Sequence, residues 1–261
     1  KKIFVIVADE PTAVTMQGDL MALGTNALIL HSRDYNLTRM TGYSKEYEHK
    51  RIDTLSRVLD GAFDVVLIPI DAAVQYTVPT EILKKSIINV SVAETVDMAQ
   101  LCETLVASGY TRSELCEGVG QFAARGGIVD VFATGSDAPV RIEFWGDEID
   151  SMSYFDISTQ RRTENIQSLK IFPANELVYD AKKLAQELKL YADTTKKLTD
   201  TQKECILKDI DLMQSGLSVS GDLYLPFLYE KAGTIFDYIK DGLIAICETG
   251  NIFERLKSIF A

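Results

Sequence analysis

The run Val65-Val66-Leu67-Ile68, set off by Asp64, has no polar side chain to offer water, so it fits only a strand covered on both faces. Such a strand needs parallel neighbours joined by helical crossovers. The residues before it supply them. An apolar run over 3–8 leads to a helical pattern over 12–23 that Gly24 stops; a second run over 27–30 leads to a helical pattern over 45–59 and then to 65–70. The alternation predicts the first part of an α/β domain over residues 1–85.

The pattern changes at residue 86. A strand over 87–92 and a helix over 97–108 precede short β segments broken by Gly118, Gly120, Gly126-Gly127, Gly135 and Gly146. Residues 141–145 alternate polar and apolar, as a half-exposed antiparallel strand does. Residues 86–172 are therefore expected to form a separate α+β domain. After Pro173, helices are expected over 181–197 and 199–213, a helical turn over 234–238, a strand over 243–247 and a last helix over 252–260. A lone strand near the end needs a sheet to join. Residues 173–261 are thus expected to return to the α/β domain and complete it, making it discontinuous.

Composition narrows the function classes. With 261 residues, 46% of them hydrophobic, the chain has material for more than one core. Its net charge of −11 opposes tight binding to nucleic acid, whose affinity rests on clustered Lys and Arg. No apolar run approaches the roughly 18 residues that cross a bilayer, so no membrane role is expected. The four cysteines lie far apart and only two histidines are present, which points to reduced thiols in a cytoplasmic protein and to no metal site. The chain opens on a buried-type strand with no start residue before it, and is expected to be a piece of a longer protein.

Catalytic residues are not expected. A nucleotide site needs a glycine-rich loop ending in Lys-Ser or Lys-Thr, whereas the first strand here runs into Asp9 and Glu10, which repel phosphate. No ATP or other cofactor is expected in this segment. The carboxylates of residues 146–150 are read as a turn, with Gly146-Asp147 at its tip and Ile149 facing inward.

The most informative stretch runs from Glu117-Gly118-Val119-Gly120-Gln121-Phe122-Ala123-Ala124-Arg125-Gly126-Gly127-Ile128-Val129-Asp130-Val131-Phe132 through Pro139-Val140-Arg141-Ile142-Glu143-Phe144-Trp145-Gly146-Asp147-Glu148-Ile149-Asp150-Ser151 to Phe155-Asp156 and Thr159-Gln160-Arg161-Arg162. In order and spacing it resembles the domain shared by UvrB and the transcription-repair coupling factor family, through which both contact UvrA. Arg33-Asp34-Tyr35, Gly109-Tyr110 and Leu225-Pro226-Phe227 also look like the coupling factor. Two departures separate the chain from UvrB: the phosphate loop is missing, and the segment between Tyr35 and Lys45 is too short for UvrB's DNA-clamping hairpin. A fragment of UvrB is the alternative.

The resemblance implies a non-catalytic UvrB-like module, with a discontinuous, degenerate helicase-like parallel-sheet domain, that recruits UvrA to stalled RNA polymerase. It assigns the UvrA contact to Arg125, Arg141 and Trp145, the last standing where the family commonly has phenylalanine. The competing reading pairs Arg141 locally with Glu143 or Asp130 and makes Trp145 simply part of the core. The resemblance further implies that the intact protein is an ATP-dependent DNA translocase whose ATP, Mg, DNA and RNA polymerase sites lie in other domains. It also implies that its own C-terminal domain covers the UvrA-binding surface.

Overall fold

The computed structural model describes residues 1–33, 46–176, 181–195, 197–215 and 224–260. The tyrosine at position 35, the start of the helix expected from 45 and the segment used to exclude a clamping hairpin lie outside these residues. Strand β1 (Lys2–Val7) leads to helix α1 (Glu10–Ala22), β2 (Ala27–Ile29), α2 (Glu46–Asp60) and β3 (Val65–Pro69), followed by the short helices α3 (Ile70–Ala73) and α4 (Thr80–Lys85). Helix α1 begins two residues before its apolar pattern, because the Asp9 carboxylate caps it by accepting the Thr12 N–H at 2.9 Å and Pro11 fits the first turn.

The middle of the chain holds β4 (Ile88–Ser91), α5 (Met98–Ala107), β5 (Thr111–Arg112), β6 (Gln121–Arg125), β7 (Ile128–Val131), β8 (Val140–Trp145), β9 (Glu148–Phe155), β10 (Arg162–Ile166) and β11 (Ser168–Ile171). The last part holds α6 (Ala181–Thr194), α7 (Asp200–Gln214), α8 (Leu225–Leu228), a 3-10 turn (Ile235–Tyr238), β12 (Gly242–Ile246) and α9 (Thr249–Phe260).

The described strands form three sheets. The first is parallel, in the order β12-β1-β3-β2, so a strand near the end of the sequence pairs with the first one: Ile3 lies opposite Leu243 and Ile6 opposite Ile246. Strand alternation sends Phe4, Ile6, Leu28, Val66 and Ile68 to one face, under Ile52, Leu55 and Ile252, and sends Val5, Val7, Ala27, Val65 and Leu67 to the other, under α1. The outward carbonyls of edge strand β2 are capped, Ala27 by Gln17 at 2.9 Å and Ile29 by Thr54 at 2.8 Å. At the opposite edge, Leu243, Ile244 and Ile246 of β12 stay exposed.

The second sheet runs β10-β9-β8-β7-β6-β5, antiparallel except where β5 joins β6. One face packs on α5 through Phe122, Val129, Val131, Val140, Ile142 and Met152 against Leu101 and Leu105. The third sheet pairs β4 with β11. Both hairpin turns at one end of the second sheet have two residues, Gly126-Gly127 and Gly146-Asp147, with the first at φ 57° and 63°. That conformation favours glycine, and a Cβ on Gly127 would stand 3.0 Å from the Phe144 carbonyl.

Helix α2 bridges the first two sheets. Its apolar stripe, Ile52, Leu55 and Val58, enters the parallel-sheet core. Its other side meets the α+β part so closely that a Cβ on Gly120 would lie 2.7 Å from the His49 ring, and one on Gly135 2.5 Å from Asp53. Just past β11, the buried Glu176 carboxylate accepts from Nε of Arg51 at 2.6 Å, from Nε of Arg33 at 3.2 Å and from the Thr77 hydroxyl. Burial alone would raise its pKa, but the two guanidiniums reverse that and hold it at about 2.

Candidate protein-binding surface

The face of the six-stranded sheet turned away from α5 carries a polar row. Alternation along β6, β7, β8 and β9 places Ala123 and Arg125, Asp130, Arg141 and Glu143, and Ser151 and Ser153 on this side. Register sets Asp130 opposite both Ala123 and Arg141, and Glu143 opposite Ser151. A small apolar cluster beneath the row, Cys116, Ala123, Phe132 and Phe155, supports it.

Asp130, 1% exposed, anchors the row. Its Oδ1 accepts Nε of Arg141 at 2.7 Å, and its Oδ2 accepts Nη2 of Arg141 at 2.9 Å and Nη2 of Arg125 at 3.0 Å. Arg141 also donates to the Gln160 backbone carbonyl and side-chain oxygen, each at 3.2 Å, and its guanidinium lies 4.7 Å from the Phe155 ring centroid. The hydrogen bonds to Asp130 push the Arg141 pKa above its ordinary value. Glu143 accepts from Arg162 and, at 3.0 Å, from the Ser151 hydroxyl.

The three sequence-assigned residues therefore differ in setting. Trp145 ends β8 beside the Gly146-Asp147 turn and is 83% exposed, so it is surface rather than core. Arg125 ends β6 beside the Gly126-Gly127 turn with 43% of its side chain accessible. The two turns lie at one end of the sheet because β6 and β8 run the same way in the antiparallel meander. Arg141 lies inward, with 11% of its side chain accessible, paired to Asp130. Its local pairing is the observed one, with Asp130 as partner and not Glu143.

Sequence reasoning passed over Arg162, whose side chain is 51% accessible, and the anchoring roles of Gln160 and Ser151. The signal available for Asp130 was one carboxylate between Val129 and Val131, facing away from the apolar core. Among the described residues no group of three or more His, Cys, Asp or Glu could hold a metal ion, and no helix is long and apolar enough to cross a membrane.

Within the β-rich, helix-backed middle of the chain, residues 88–177 match the UvrB interaction domain family. Over 95% of its length the chain is 30% identical to the transcription-repair-coupling factor of Bacillus subtilis, and over 83% it is 30% identical to that of Staphylococcus aureus strain MRSA252. The chain is thus similar to transcription-repair-coupling factors over most of its length, and its match to the UvrB interaction domain family lies within that similarity. It spans about a fifth of the length of these relatives, 22% and 19% respectively.

Proposed function

We propose that this chain is the UvrA-recruiting, UvrB-like module of a transcription-repair coupling factor, acting in DNA repair at stalled RNA polymerase. The observation that carries the reading is the outer face of the interaction domain, where Arg125 and Trp145 stand exposed at one end of the sheet. Arginine forks suit carboxylates, and an exposed tryptophan supplies area that is desolvated on contact. The parallel-sheet body serves as a degenerate helicase-like scaffold. The Asp9 carboxylate caps α1 at the strand end where a nucleotide phosphate would need free N–H groups, so this segment contributes binding rather than turnover.

ATP-driven translocation on DNA, with its Mg, and the displacement of RNA polymerase belong to other parts of the whole protein. So does the C-terminal domain that would cover this face. Calorimetric titration of the chain with the UvrB-binding domain of UvrA tests the reading. Binding is expected, and Arg125→Ala/Trp145→Ala should weaken it at least about tenfold, or roughly 1.4 kcal/mol. Both residues are exposed, so the variant keeps its fold. Absence of binding by the unaltered chain at high micromolar concentration would sink the proposal.

A further inference from the structure

We infer that Arg162 is a direct contact for an acidic partner surface and that Arg141 is a positioning residue which never meets that partner; the inference rests on the UvrA-recruiting reading above. Every nitrogen of Arg141 is already engaged, with four of its five N–H groups given to partners within the chain. Nε is given to Asp130, Nη1 to the Gln160 carbonyl, Nη2 to both Asp130 and the Gln160 side chain, and Phe155 lies against the guanidinium. Turning it outward would strand the buried Asp130 carboxylate, a loss larger than a newly formed surface ion pair returns.

What Arg141 does is hold Asp130 in place, and Asp130 in turn tethers Arg125 by one nitrogen. It also ties down Gln160, two residues before Arg162. Arg162 repeats the Arg125 arrangement: one nitrogen rests on Glu143, which Ser151 fixes from the other side, while half of the side chain faces water. A cation tethered at one corner loses less rotamer freedom when a carboxylate arrives at the others. Along this row three guanidiniums (Arg125, Arg141, Arg162) face three carboxylates (Asp130, Glu143 and, opposite Trp145, Glu148), so the row is neutral in a chain of net −11. The row fits a partner that presents carboxylates to Arg125 and Arg162 together, with an apolar spot for Trp145.

The test titrates the whole chain with the UvrB-binding domain of UvrA at several salt concentrations. Arg162→Ala should weaken binding at least tenfold and flatten the salt dependence, with an unchanged unfolding midpoint, and Arg162→Lys should recover part of the loss. Arg141→Lys, which keeps the charge but not the fork, should weaken binding and also speed amide hydrogen exchange around Gln160, a change that loss of a mere contact does not produce. If the unaltered chain binds, Arg125→Ala weakens it and Arg162→Ala stays within twofold, the inference is overturned while the recruitment reading stands. If the unaltered chain does not bind, the recruitment reading falls and takes this inference with it.

Discussion

Replacing Glu176 by glutamine keeps the shape of the side chain and removes one negative charge from between Arg33 and Arg51. In the native protein the carboxyl is held at about 2, against 4.5 for the free group, which corresponds to about 3 kcal/mol of stability at neutral pH. Leaving two buried guanidiniums without their carboxylate costs a similar amount, about 3 to 5 kcal/mol. Because the folded pKa is depressed, the stabilisation is complete above 4.5 and drains away as pH falls toward 2. At pH 3 about 1 kcal/mol of it remains, from the two pKa values and the linkage relation. Urea unfolding of the native chain and Glu176→Gln at pH 7 and pH 3 measures this directly. The gap should be about 3 kcal/mol at pH 7 and should shrink by more than half at pH 3. A gap below about 1 kcal/mol at pH 7, or one equal at both pH values, would refute the electrostatic account of the junction.

Asp130→Asn should destabilise the chain by about 3 to 5 kcal/mol, because it strips the buried Arg141 of its counter-charge; chemical unfolding checks it. Trp145→Ala should change stability by no more than about 0.5 kcal/mol, since the ring is surrounded by water. As the sole tryptophan, Trp145 should fluoresce as a solvent-exposed indole and shift to the blue when a partner covers it. A thiol reagent should modify the exposed Cys205 first. Cys116, buried and with its thiol pushed up to about 12 by that burial, should react only after unfolding.

The parallel sheet was legible because its inner strands are unbroken apolar runs, which fit no other arrangement. The two glycine turns were legible because their backbone angles exclude most other residues. The inward place of Arg141 was legible only as the competing reading, which left Glu143 and Asp130 both open as partners. Its partner Asp130 is 11 residues away, and the pairing depends on a register that two successive strands must share. Arg162 was equally hidden, since it reaches Glu143 across β9 from the polar end of a strand whose one apolar residue is Ile166, at the far end. Helix α9 also starts three residues before its apolar pattern, at the exposed Thr249-Gly250, where propensity argues against a helix but the Glu248 carbonyl accepts the Ile252 N–H.

The parallel sheet has unlike margins. At β2 the outward carbonyls of Ala27 and Ile29 are already taken by Gln17 and Thr54, so another strand arriving there would find its acceptors occupied. At β12 no side chain of the described residues caps the outward backbone, and Leu243, Ile244 and Ile246 offer apolar side chains above and below it. The two margins are therefore unlike, which gives the body a polarity that its parallel order alone does not confer.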